Sequence, residues 1–267
     1  MINLMTLDAT HLGPLPETFS TLVPSRDADG IDLLCCQSVP LAPDGRAACS
    51  RWLPTSLGLT CSCFAVGRPG LRPVPDAGQT AGGLAIFTGN TTWVLNSGSF
   101  TIGEEDETTL VQFALVRKHG ASLLALNLHL GASRTTQLRQ LRHLFAHALL
   151  REPYGAVALC ADRAAVLTGK QWQQLTTRSN YTLHRTPLTA PGVGLLGLFT
   201  ARFPAVSAVT VRQPEPAAAV DAGHAPNLPA LAMTVDIQRI GGKSHRPLFP
   251  LSFREQWLGY REHRAFA

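Results

Sequence analysis

One carboxylate at the end of an apolar run is the first residue of this 267-residue chain that invites a chemical reading. In "YGAVALCADRAAVL" (154–167), Ala156 to Cys160 are uniformly apolar and Asp162, the only acid of the stretch, follows them. Such a run reads as a buried strand, and ligands gather where the strands of a sheet end. Asp162 is therefore a candidate site residue, and the question is which partners give it chemistry.

Other residue types at suggestive spacing are weaker candidates. His143 and His147 stand four apart on a helical stretch, as a zinc pair would. No Glu lies between them in H-E-x-x-H fashion, and a solvated helix face accounts for both. Cys35, Cys36 and Cys160 lie in apolar, strand-like runs, where cysteine serves as a small hydrophobe. Cys61-Ser-Cys63 is C-x-C, not the C-x-x-C of zinc or dithiol sites, and Cys49 stands alone. Reduced thiols and a cytoplasmic location are the expectation. "GEEDE" (103–107) reads as a solvated acidic loop. Neither a G-x-S-x-G elbow nor a P-loop is present.

Composition narrows the classes further. Hydrophobic residues make up 45%, enough for one large core, so a single domain over 1–267 is expected, with 237–267 as a C-terminal extension. The net charge of +5 suits an anionic ligand, yet no dense Lys/Arg run argues for nucleic acid, and the cluster Arg254, Arg261 and Arg264 fits a solvated tail. The N-terminus lacks a basic segment followed by a long apolar core, and no run approaches about 18 apolar residues, so neither a signal peptide nor a membrane span is expected.

The elements that must position Asp162 are mostly strands. Strands are predicted at 2–7, 30–39, 57–66, 83–89 and 91–103, followed by a hairpin turning at Lys118-His119-Gly120. "SRTTQLRQLRHLFAHALLREP" reads as one amphipathic helix ending before Pro153, and "GKQWQQL" as a short one. "PETFSTLV" (16–23) is a further helical turn, and "GLLGLFTA", "AVSAVTVRQ" and "NLPALAMTVDIQR" are strands. Hairpins with few intervening helices predict an α+β sandwich of two mostly antiparallel sheets with helices outside.

At "NLHLGASRTTQLRQLRHL" the order resembles the endonuclease/exonuclease/phosphatase superfamily, the DNase I-like fold: a strand ending Asn-x-His-Leu, then a helix with Arg-x-x-Gln-Leu. "INLMTLDA" resembles the opening strand, "GIDLLCCQSV" the D-I-I-x-x-Q-E-V strand and "GLAIFTG" the G-x-A-I-L-S-R strand. "VALCADRAA" resembles V-x-L-x-G-D-F-N, and "GHAPNLPALAMTV" the closing S-D-H-x-P strand. The ordered set spans nearly the whole chain. It implies a four-layer α/β/β/α sandwich and Mg²⁺-assisted phosphoester hydrolysis, in which carboxylates hold the metal and histidines serve water and phosphate.

Carried over residue by residue, that site is eroded. Asp8 takes the place of the first-strand Asn, and Gln37 is read as standing at the Glu position. Asn127 and His129 keep Asn-x-His. Asp162 keeps the Asp of Gly-Asp-Phe-Asn, while Ala164 replaces its Asn. Leu196 falls where an I-D-Y-I strand has Asp, Gly223 replaces the Asp of Ser-Asp-His, and His224 keeps its His. A second register, "VDIQRIGGKSHRPL", also resembles the motif, restoring Asp236 and giving His245 as the alternative; only nine positions separate them, where the family has a further strand and loop, so the first register is preferred. The resemblance thus implies a pocket of His129, Asp162 and His224, lined by Asp8, Gln37, Asn127, Ala164 and Leu196. Two histidines and a carboxylate suffice for acid–base catalysis without metal. The leading expectation is a cofactor-free enzyme acting on a small organic molecule, with no nucleic-acid or membrane partner. The alternatives are residual phosphodiesterase, nuclease or phosphatase activity with Mg²⁺ on Asp8, Gln37 and Asp162, and a non-catalytic binding or scaffold protein.

Overall fold

The computed structural model describes residues 2–9, 30–39, 58–65, 83–103, 108–152, 154–161, 167–177, 179, 181–184, 189–190, 193–201, 206–212 and 230–239. For Asp8, Cys61 and everything from residue 183 onward it describes the backbone alone.

Period-2 alternation and β-branched or aromatic runs build thirteen strands among these residues. They are β1 (Ile2–Asp8), β2 (Leu33–Val39), β3 (Leu59–Ala65), β4 (Gly83–Gly89), β5 (Trp93–Ile102), β6 (Thr109–Lys118) and β7 (Ala121–Leu128). Helix α1 (Arg134–Ala146), β8 (Ala156–Ala161), helix α2 (Gly169–Thr177), β9 (Tyr181–His184) and β10 (Thr189–Ala190) follow, then β11 (Val193–Ala201), β12 (Val206–Arg212) and β13 (Ala230–Arg239). One sheet has the order β12-β13-β1-β2-β4-β3, the other β10-β11-β8-β7-β6-β5 with β9 also paired to β11. Neighbours run antiparallel except β1–β2 and β7–β8, which are parallel.

Alternation places successive strand residues on opposite faces of their sheets. Ile2, Leu4, Leu33, Cys35, Ile86, Ala114, Val116, Leu123, Ala125, Ala156, Ala158 and Cys160 fill the space between the sheets. The small alanines let the two sheets approach, and the Cys35 thiol, held protonated by its hydrogen bond to Cys160 and then by burial, packs there as a hydrophobe. The residues between them in sequence, such as Phe113, Leu115, Leu124, Leu126, Val157 and Leu159, face the helices and meet Leu141, Leu144, Trp172 and Leu175. This is the sandwich that the hairpin pattern predicts. Both described helices lie over the second sheet; the helical turn expected at 16–23 lies outside the described residues.

Two elements differ from expectation. The long helix stops at Ala146 because His147 adopts an extended conformation (φ −66°, ψ 144°), and a separate 3-10 turn covers Ala148–Arg151. Nδ1 of His147 accepts the Leu149 N–H at 3.2 Å, satisfying a donor at the start of that turn. Strand β13 runs to Arg239, so 237–239 belong to the sheet and not to a tail.

Candidate functional site at the strand ends

The parallel pairs bring four strand ends to one edge of the sandwich. In the first sheet Asp8 is paired with Gln37; in the second Leu128 is paired with Ala161. Gln37 Nε2 donates to Asn127 Oδ1 across the sheets at 2.6 Å, which ties the end of β2 to the end of β7. Strand β13 starts at the same edge, with Ala230 opposite Leu7, and β11 starts there with Gly194 opposite Ala161.

A buried polar network closes the inter-sheet core at this edge. Gln37 Nε2 also donates to Thr6 Oγ1 at 3.0 Å. Asn127 Nδ2 donates to the Cys36 carbonyl at 2.9 Å and the Ala85 carbonyl at 3.2 Å. Gln112 Nε2 donates to the Leu84 carbonyl at 2.7 Å, and its Oε1 lies 3.3 Å from Asn127 Nδ2. Thr6, Gln37, Gln112 and Asn127 continue the inward-facing rows of their strands, and all four are fully buried. Buried amides are tolerable only when bonded, and these are bonded to carbonyls that the β2 irregularity leaves available. At the opposite end Asp32 plays the closing role: Lys118 Nζ and the Asn3 N–H donate to its Oδ2 at 2.8 and 2.9 Å, and Thr92 Oγ1 to its Oδ1 at 3.2 Å.

His129 follows Asn127 on a loop held by helix α1. Its carbonyl accepts from Thr109 Oγ1 at 2.7 Å. The Gly131 N–H donates to Gln140 Oε1 at 2.9 Å, and Gln137 Nε2 donates to the Gly131 carbonyl at 3.0 Å. Gln137 is the Gln of Arg-x-x-Gln-Leu, so that motif's job here is to hold the loop. Ser133 caps the helix, accepting the Thr136 N–H at 3.1 Å. Gly131 has no room for a side chain, because a Cβ would come within 2.3 Å of Thr136 Cγ2. Arg134 bridges to Gln171 of α2 at 2.6 Å.

Of the expected site residues, Asp8, Gln37, Asn127, His129 and Leu196 are among those described, and their backbones fall at this edge. Asn127 and Gln37 are joined, but within the protein: Gln37 has no exposed surface and its amide is committed to Thr6 and Asn127. The residue of β2 with exposed surface is Ser38, the others being buried. Ser38 sits at positive φ (54°), and the β2–β4 pairing shifts register between Cys36 and Val39 around it. Matching Asp32-Leu-Leu-Cys-Cys-Gln37-Ser38-Val39 to D-I-I-x-x-Q-E-V puts Ser38, not Gln37, on the Glu. The residue missed by the sequence reading was thus available in the motif itself. Leu196 is the unpaired residue of a β-bulge in β11 opposite β8, where the register shifts between Leu195 and Gly197. Asp236 pairs with Thr210, one residue beyond the Ile2–Val235 pair, and thus lies at the sandwich edge opposite Asp8. Six residues of strand, about 20 Å, part it from Ala230. Asp162, Ala164, His224 and His245 lie outside the described residues.

Among the described residues, the strand ends offer too few anionic oxygens for a divalent cation. Mg²⁺ takes hard, mostly anionic oxygens. At these strand ends Gln37 is neutral and internally bonded, Ser38 is neutral and Leu196 is apolar, leaving Asp8 as the one carboxylate there among the described residues. No group of three or more His, Cys, Asp or Glu fit to hold a metal occurs among the described residues.

Two titrations mark the flank of the second sheet. Burial, then the charge of Arg151, lowers the pKa of His147, whose ring stacks on Phe100 with centroids 3.9 Å apart. Burial pushes the Tyr181 phenol up to about 12, so it stays protonated and donates to the Glu152 carbonyl.

No family model matches this sequence, and no curated protein matches it. Solved structures do match over most of the chain. The human Nocturnin catalytic domain with bound sulfate is 15% identical with a TM-score of 0.62, covering 89% of this chain and 93% of that one. A mannosyl-6-phosphatase from Bacteroides thetaiotaomicron is 12% identical with a TM-score of 0.54, covering 89% of this chain and 100% of that one. An endonuclease/exonuclease/phosphatase protein from Bacteroides vulgatus is 13% identical with a TM-score of 0.52, covering 89% and 99%. The two sheets, their parallel pairs and these matches agree: the chain has the DNase I-like fold of the endonuclease/exonuclease/phosphatase superfamily.

Proposed function

We propose that this chain is a divergent protein of that fold whose cleft binds a small organic molecule and acts on it by metal-independent acid–base chemistry. The observation that carries the reading is the end of β2, where a neutral Ser38 is the residue with exposed surface and Gln37 is turned into an inter-sheet bond. A cleft that has exchanged anionic ligands for a hydroxyl and an apolar bulge residue suits a ligand less polar than a phosphodiester. His129 is the proton carrier, on a backbone held by Thr109 and α1. Asp162, next along the chain after Ala161 just as His129 follows Leu128, orients or counters it, and His224 precedes the strand that starts beside Leu7. The working location is the cytoplasm, and no helix among the described residues is long and apolar enough to cross a membrane.

The test is a thermal-shift screen of small organic acids, esters and amides in EDTA, with wild type, His129→Ala and His224→Ala in parallel. A compound that stabilises wild type but neither variant, and that wild type alone converts, is the expected result. Stabilisation equal in all three proteins would leave a binding protein without the acid–base pair.

The retained Asp8, Asn127 and His129 favour a second reading, residual metal-dependent phosphoester hydrolysis. Turnover of bis(p-nitrophenyl) phosphate that requires Mg²⁺ or Mn²⁺ and stops with EDTA would establish it in place of the first.

A further inference from the structure

Ser38 holds a left-handed backbone conformation (φ 54°) where the β2–β4 register shifts. Among the described residues only Ser38 and His119 combine a side chain with positive φ, and His119 is accounted for by the β6–β7 turn beside Gly120. Ser38 lies instead at a strand end, where glycine would adopt the same conformation without strain. Its neighbours lock it there. Val39 and Gln37 are buried, the Gln37 side chain is bonded to Thr6 and Asn127, and the Gln37 carbonyl accepts the Ala9 N–H at 2.7 Å. The register shift lifts Ser38 out of the β2–β4 ladder, and it alone in β2 has exposed surface. A half-buried hydroxyl on a strained strand end is comparable to the strained turn from which some hydrolases present a nucleophile. A histidine is on the same edge: Gln37 and Asn127 are bonded at 2.6 Å, Ser38 is one residue beyond the first and His129 two beyond the second.

We propose that Ser38 is a nucleophile with His129 as its base, and that the substrate class is small carboxylic esters. The proposal rests on the acid–base reading above and deepens it. Ser38 Oγ forms a bond to the ester carbonyl carbon while His129 takes the hydroxyl proton. The bond from that carbon to the alcohol oxygen breaks, and the alkoxide leaves with the proton from His129. Water, deprotonated by His129, then attacks the acyl-serine, releasing the acid and returning the proton to Oγ. No metal, oxidant or cofactor enters the balance.

The experiment is labelling of the full chain in EDTA by a fluorophosphonate and by phenylmethanesulfonyl fluoride, followed by intact-mass measurement and peptide mapping. One adduct on Ser38 is expected, absent from Ser38→Ala and from Ser38→Gly, the second being free of backbone strain and therefore folded. Labelling should slow about 100-fold or more in His129→Ala. Wild type should release p-nitrophenol from p-nitrophenyl acetate in a burst that both Ser38 variants lose. No adduct, an adduct on another residue, or an unchanged rate in His129→Ala overturns the proposal. If Ser38 is unlabelled while His129→Ala and His224→Ala still lose ligand stabilisation, the nucleophile fails and the acid–base pocket stands; if that stabilisation is also unaffected, both fail.

Discussion

Asn127 is the residue on which the edge of the sandwich depends. Its amide serves three acceptors and one donor drawn from β2, β4 and β6, up to 91 residues away in sequence. Asn127→Leu keeps the branched shape but removes the amide bonded to the Cys36 and Ala85 carbonyls and to one Gln37 N–H. Each buried group left unpaired costs about 1–3 kcal/mol, so a loss of about 3 kcal/mol or more is expected in urea unfolding. The Asn-x-His motif marked this position in the sequence, but not its work, because the partners come together only when the sheets stack. His147 carries a pH prediction. Its Nδ1 must be unprotonated to accept the Leu149 N–H, and burial lowers its pKa from the ordinary 6.5. The unfolded chain takes up that proton first, so the contribution is present above pH 6.5 and is lost as pH falls through the folded value. The fall in Tm from pH 7 to pH 5 should be smaller in His147→Gln than in wild type.

At the scale of elements, helix α1 acts as a clamp on the loop that carries His129. The clamp needs Gly131 bare, and Gly131→Ala should cost about 1–3 kcal/mol by overpacking against Thr136, with partial recovery when Thr136→Ser removes the nearer carbon. The far edge is held by the Asp32–Lys118 pair, whose side chains are 2% and 10% exposed. Lys118→Met leaves a buried carboxylate uncompensated and should cost about 3–5 kcal/mol, whereas Lys118→Met with Asp32→Asn should cost clearly less. Strand positions were legible because alternation and hairpin turns are local. The end of the helix was not: "RHLFAHALLRE" keeps helical spacing across His147, where the extended backbone of His147 and its capping bond at Nδ1 separate the helix from the turn.

For the whole molecule, the fold could be read from the order of weak motifs, none specific alone. Direction could not. "VDIQR" resembles I-D-x-I at its Asp, yet β13 runs antiparallel to β1 and carries Asp236 away from the edge where Asp8, Gln37 and Asn127 meet. The same edge shows why one substitution misleads about the next. Gln37 reads as a weakened metal ligand until the sheets close over it, and Ser38 then stands at the surface in its place. We propose that this edge works without a divalent cation. Calorimetric titration of Mn²⁺ into the EDTA-treated and desalted protein tests it most directly. An edge that works without a divalent cation gives no saturable heat and no difference between wild type and Asp8→Asn. A saturable site of about one ion per chain, abolished by Asp8→Asn, would contradict it.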